Sequence, residues 1–235
     1  MMEVDKNIDL VHKGPSLGML ALATLVIFVL NVGAYQVMTD FTPHPVPTAS
    51  PEIAQSYFLR FPLALKVSSF LQLGAAITIG IFTASIVSRL RFLRVSASGV
   101  DIALVGGVAS SVFLALSSAL TWVQSHAEIA GDLSTMRLIQ LLEFSSGGVV
   151  HIAMLGIMLA GISIPSLLFG FMPRWLCWIG LITAVLSELV TISLMFDTLF
   201  YLLPVARFGS LLWLVFAGFK IVKTQFSPIE NKVGN

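Results

Sequence analysis

The chain has 235 residues, of which 57% are hydrophobic and 11% charged, with 13 Lys and Arg against 12 Asp and Glu. A soluble domain carries about a quarter charged residues; so few charges cannot clothe this much apolar mass in water, which excludes soluble and disordered classes. A formal net charge of +1 offers no face for nucleic acid, and the single Cys177 excludes a disulfide framework, a thiolate metal cluster and an internal dithiol pair.

What fits is an all-α, polytopic transmembrane helical bundle forming one integral membrane domain over residues 1–235. Apolar runs of about 20 residues, enough to cross roughly 30 Å of hydrocarbon, fall approximately at 17–38, 63–86, 100–123, 147–169, 175–196 and 204–222. These runs are apolar all round, whereas barrel strands alternate, so six helical spans are predicted. The first run is too long for a signal-peptide core and has no small-residue cleavage site after it, so it reads as a retained anchor.

In chain order, the outer loop 39–62 carries Pro43, Pro45, Pro47 and Pro51, which impose an extended path. Ser50-Pro51 reads as an N-cap with proline at the first helical position. A short helix over about 51–60 is expected to lie on the membrane with Ile53, Tyr57 and Phe58 inserted. Ser98 and Asp101 match a capping box at the start of the third span. The outer loop 124–146 carries Arg137, Gln140 and Glu143 on nearly one helical face. It is either an interfacial helix or an extension of span four broken at Gly147-Gly148. Pro165 is expected to kink the inner end of span four, and Pro173 separates that span from the next. Gly74, Gly80, Gly106, Gly107 and Gly156 are read as close-packing residues. Tyr35, Tyr57, Trp122 and Tyr201 are placed at the outer interface, Trp175 and Trp178 at the inner one, and Trp213 in neither.

Orientation follows from the basic residues. With the N-terminus in the cytoplasm, Lys6, Lys13, Arg89, Arg91, Arg94, Arg174, Lys220, Lys223 and Lys232 lie inside, and only Arg60, Lys66, Arg137 and Arg207 outside. Both termini are therefore expected in the cytoplasm.

Polar side chains inside the spans need a reason, because hydrocarbon offers them no partner. Asn31, Gln72 and Glu188 lie about seven to nine residues from the outer helix ends, a depth on the order of 10 to 14 Å. His151 joins that layer, and Lys66, Glu143 and Arg207 stand nearer the outer surface. Gln140, Glu143, Gly147 and His151, at steps of three, four and four, share one helical face, while Ser187, Glu188 and Thr191 form a polar patch on span five. If those faces meet, His151 and Glu188 form a buried pair. No His-x-x-x-His or Glu-x-x-His spacing appears and no Gly-x-Ser-x-Gly elbow, so no metal, cofactor or catalytic residue is assigned.

Several short stretches resemble a known group. Leu73-Gly74-Ala75-Ala76-Ile77-Thr78-Ile79-Gly80-Ile81-Phe82-Thr83-Ala84 does so, followed by Gly147-Gly148-Val149-Val150-His151, Pro173-Arg174-Trp175, Trp178-Ile179-Gly180, and Arg207-Phe208 with Trp213. Together they resemble an uncharacterised bacterial family of six-helix integral membrane proteins, a domain of unknown function, over most of the chain after Phe58. The resemblance implies a bacterial cytoplasmic membrane and supplies no catalytic residue.

Three functional readings follow. The first is a non-enzymatic protein that binds or passes a small ligand or proton through an outer polar cavity. Gln72, His151 and Glu188, with Asn31, would form that cavity, and Lys66, Glu143 and Arg207 its mouth. The second is a structural or regulatory subunit whose Arg89 to Arg94 loop meets a membrane protein partner or anionic lipid. The third is a membrane-embedded lipid-modifying enzyme with Glu188 and His151 as acid and base.

Overall fold

A computed structural model describes residues 12–95 and 97–222, and is helical with no strand among them. Lys6, Lys223 and Lys232 of the orientation count lie outside the described residues. Six helices are long and apolar enough to cross a membrane, as the apolar runs predict. They are α1 (Leu17–Met38), α3 (Pro62–Phe92), α4 (Gly99–Gln124), the continuous helix Leu133–Phe169, and the runs Arg174–Leu194 and Leu199–Lys220. The continuous helix comprises α6 (Leu133–Glu143), a π-helical segment Phe144–Val150 and α7 (His151–Phe169). The last two runs contain α8 (Arg174–Leu189) and α9 (Leu202–Lys220). Two short helices, α2 (Pro51–Arg60) and α5 (Ala127–Gly131), lie between the spanning ones.

The spanning helices follow one another round a ring in chain order. α1 packs on α3, α3 on α4, α4 on α7, α7 on α8 and α8 on α9, and α9 closes on α1. The connection from α3 to α4 and that from α7 to α8 are short and leave those antiparallel neighbours little alternative, whereas α1 and α3 are joined through the longer segment that carries α2. α9 also touches α7 directly, which pushes α8 to the outside of that junction. Small residues set the closest approaches. A Cβ placed on Gly106 would lie 2.5 Å from the Met158 amide nitrogen, and one on Gly161 2.5 Å from that of Ala103, so α4 and α7 meet backbone to backbone. Hydroxyls add cross-links: Ser69 Oγ donates to the Ser118 carbonyl at 2.8 Å, and Ser118 Oγ to the Ser69 carbonyl at 2.7 Å.

Both described chain ends lie at one end of the bundle, where Gly18 and Gly218 are in contact. This terminal end holds the largest apolar core, with Leu17, Phe82, Leu90, Leu159 and Trp213. The opposite end is capped by α2 and α5, whose own core joins Phe58, Phe61, Leu65, Ala130 and Met136.

Several local expectations hold. Ser50 Oγ accepts from the Ile53 amide with Pro51 next to it in the first turn, and Trp122, Tyr201, Trp175 and Trp178 are exposed near helix ends, whereas Tyr35 of the expected outer belt is half-buried and turned towards His44. Trp213 is buried and donates from Nε1 to the Leu176 carbonyl at 2.8 Å. Others are corrected. Ser98 makes no capping bond, and Asp101 instead pairs with Arg91 at 3.1 Å, because the stronger partner for the carboxylate is the guanidinium one turn before the loop. α3 runs to Phe92, so Arg89 and Arg91 are helical, and Arg89 is only 2% exposed. Tyr57 and Phe58 face the protein and Ile53 alone of that trio is exposed, because the apolar face of α2 covers the cap core. The segment before Gly147-Gly148 is an extension of span four, continuous through the π-helical turn.

Candidate functional site

One helix face organises the cap end. Reading down α6, the π-helical segment and α7, Arg137 donates from Nη1 to Gln140 Oε1 at 2.8 Å and from Nη2 to the Pro47 carbonyl. Gln140 Nε2 donates to the Pro45 carbonyl at 2.9 Å. The proline-rich segment presents carbonyls that no ladder uses, because proline supports an extended path with no regular hydrogen bonding. Below this latch, Glu143 Oε1 accepts from Ser117 Oγ at 3.1 Å, and Ser117 Oγ accepts from Gln72 Nε2 at 2.8 Å. One turn further, the Gly147 carbonyl accepts from Arg207 Nη2. At the bottom, His151 is completely buried with Nδ1 2.9 Å from Ser110 Oγ and 3.0 Å from the Ser110 carbonyl. A carbonyl can only accept, so Nδ1 carries the proton and Nε2 is left as a bare acceptor with no partner.

The π-helical turn belongs to this site. It adds about one residue per turn relative to an α-helix, and it places Glu143 and Gly147 both against Ser117 of α4. A Cβ at Gly147 would fall 2.0 Å from Ser117 Oγ and 3.3 Å from Gln72 Nε2. Only glycine leaves room there for the bonds among Gln72, Ser117 and Glu143.

Two lobes of about 290 Å³ each lie inside the ring under the cap and share His44, Gln72, Glu143 and Arg207 as walls. The first adds Asn31 and Tyr35 from α1 and Thr121 and Gln124 from α4. The second adds Ser117, Gly147 and the apolar side chains Phe200, Leu203 and Phe208. His44 also borders a groove of about 540 Å³ between the proline-rich segment and α2, so its ring separates the lobes from that groove. The ring is exposed, and the spaces it borders are partly open to the surroundings. Tyr35 Oη lies 2.9 Å from His44 Nδ1. Enclosure by the surrounding protein pulls the His44 pKa down to about 4, so the imidazole is neutral at pH 7.

The chamber thus joins Asn31, Gln72, Glu143 and Arg207, four of the seven residues singled out from the sequence. His151 lies just beneath, its ring stacked on Phe28 with centroids 6.4 Å apart, while the Arg207 guanidinium sits 5.7 Å over the same Phe28. Glu188 does not join it. Ser187 takes the buried position on α8, 3.3 Å from Ser210 Oγ of α9, and the next residue therefore points out of the bundle. Glu188 Oε1 lies beside Gly156, more than a turn along α7 from His151, and no His151–Glu188 pair forms. Lys66 lines a separate groove on the outer surface of α3 and α4, with Phe70 and Trp122.

His44, Tyr35 and the α4 stripe escaped the sequence reading. The stripe had a legible signal, since Ser110, Ser117 and Gln124 recur every seven residues with Thr121 between, and all four are buried. The latching role of Arg137 and Gln140 had none, because their partners are backbone carbonyls 90 and 95 residues away. No protein-family model, curated protein or solved structure matches this chain.

Proposed function

We propose that the two lobes form one chamber that binds, or passes, a small polar ligand in a multi-pass membrane protein. One observation carries this reading. Asn31 Oδ1, Gln124 Nε2 and Arg207 Nε are all buried without a hydrogen-bond partner, and all three belong to walls of the same lobe. An unpaired buried polar group costs about 1–3 kcal/mol, so the walls of this lobe carry hydrogen-bonding capacity that the protein itself leaves unused, lying just behind the lobe surface and reaching an occupant when the side chains turn. The lobes lie at the small end of ligand pockets, which run from roughly 300 to 1,000 Å³. That size favours a small solute over a phospholipid. It also separates the chamber reading from lipid modification, for which the proposed acid and base do not meet.

By the basic-residue rule, the terminal end faces the cytoplasm of a bacterial cell and the cap faces out. A ligand then reaches the chamber from outside, past His44.

The test is a thermal-shift screen of small polar metabolites on the purified full chain, beside the Gln72→Ala variant. Stabilisation of the wild type by a subset of compounds, weakened at least about tenfold in Gln72→Ala, supports the chamber. A variant that merely melts earlier, with no compound stabilising the wild type, assigns these residues to helix packing instead. Uptake into proteoliposomes then separates passing from binding.

A further inference from the structure

We infer that the chamber's ligand is a small zwitterion, carrying an anionic and a cationic group on one short carbon frame, as an amino acid or an amino sulfonate does. This rests on the chamber reading above and names its substrate class.

Two groups of opposite charge type face one space without forming an ion pair. Glu143 and Arg207 are walls of both lobes, yet no ion pair within 4 Å joins them. Among the described residues such pairs occur only at the surface, between Arg60 and Asp40 and between Arg91 and Asp101. Each is held in place by a neutral group instead. Glu143 is oriented by the Ser117 hydroxyl on Oε1, and Arg207 by the Gly147 carbonyl on Nη2. Oε2 of Glu143 and Nη1 of Arg207 have no protein partner among the described residues and are not among the buried atoms. A carboxylate and a guanidinium that could have closed on each other are thus pinned apart, each with an open valence toward the lumen.

Charge complementarity then selects the occupant. A lone anion would satisfy Arg207 and be repelled by Glu143, a lone cation would do the reverse, and a neutral solute would leave the two charges only their attraction to each other across the lobe. A molecule with both groups answers both walls and adds no net charge. Glu143 has no second acidic neighbour with which to chelate a divalent cation. Among the described residues no three His, Cys, Asp or Glu side chains come together. His44 is neutral at pH 7 and adds no competing charge, while Leu203 and Phe208 offer apolar wall for a short carbon side chain. The guanidinium suits a carboxylate or sulfonate because its fork can donate two parallel bonds.

The experiment is isothermal titration of the full chain in nanodiscs with L-alanine, β-alanine and taurine. Each is compared with propionate and ethylammonium, which keep one charge each, and with neutral propanamide. At least one zwitterion is expected to bind at least tenfold more tightly than either singly charged compound. Glu143→Gln is expected to lose that advantage while binding propionate at least as well as the wild type, and Arg207→Gln to favour ethylammonium instead. The wild-type comparison needs no variant and so stands even if a variant fails to fold. Propionate or ethylammonium binding as tightly as every zwitterion would overturn the inference and leave the chamber standing. If no compound binds here and none stabilises the protein in the wider screen, the chamber reading falls with it.

Discussion

Protonating His44 places a positive charge on the wall that already holds Arg207, with Arg60 across the neighbouring groove and Glu143 as the sole carboxylate facing either lobe. The folded chain holds this imidazole neutral down to about pH 4, whereas in the unfolded chain it titrates near its ordinary value of 6.5. Its neutral form is therefore favoured by folding, and the resulting penalty appears as pH falls from about 6.5 towards about 4. Melting temperature should decline over that window in the wild type and decline less in His44→Gln, measured at pH 7.5, 6.0 and 4.5. Superimposable profiles would show that another group is responsible. At this scale the sequence pointed to Asn31, Gln72, Glu143 and Arg207, because a polar side chain in an apolar run must find a partner or a function. It misplaced Glu188, because depth along a helix says nothing about rotation around it. That rotation was decided by Ser187 taking the buried position against α9.

Among the elements, the cap is the part most loosely tied to the bundle. Pro43 to Pro51 has no ladder of its own and is fastened from α6 by the bonds of Arg137 and Gln140 to the Pro47 and Pro45 carbonyls. α2 is fastened by Gln55, which donates to the Ala130 and Gly131 carbonyls at 3.0 and 2.8 Å. Bonds from a charged donor are worth about 1.5–3 kcal/mol. Arg137→Ala should therefore speed hydrogen exchange at Val46 to Ala49 by roughly tenfold or more, with exchange in α4 and α7 unchanged. Equal acceleration throughout the bundle would mean that Arg137 supports the whole fold and not the cap. The existence of α2 was legible from Ser50-Pro51, and its inward face was not. Insertion in lipid and packing on a cap core demand the same apolar pattern. The π-helical turn was likewise invisible, since a period of 3.6 residues was assumed through Phe144–Val150, and only the fit of Gly147 against Ser117 reveals the extra residue.

For the whole molecule, the closed ring puts the cap at one end and both described chain ends at the other. On the orientation proposed above, Glu52→Cys should react with an impermeant maleimide in intact cells, and Arg174→Cys only after permeabilisation. Buried Cys177 contributes no background. Reaction of Arg174→Cys from outside would invert the orientation. Number and order of the spanning helices were determined by the sequence alone, because a hydrocarbon solvent demands about 20 apolar residues per crossing and punishes every charge inside one; the full lengths of α3 and of the fourth span were not, since their ends run beyond the apolar runs and pack on other protein segments. Which polar residues share a chamber was decided only by the tertiary structure. α9 closing on α1 and α7 brings Arg207 to Glu143 and shuts α8 out, and that arrangement depends on small-residue contacts and hydroxyl bonds between helices far apart in the chain.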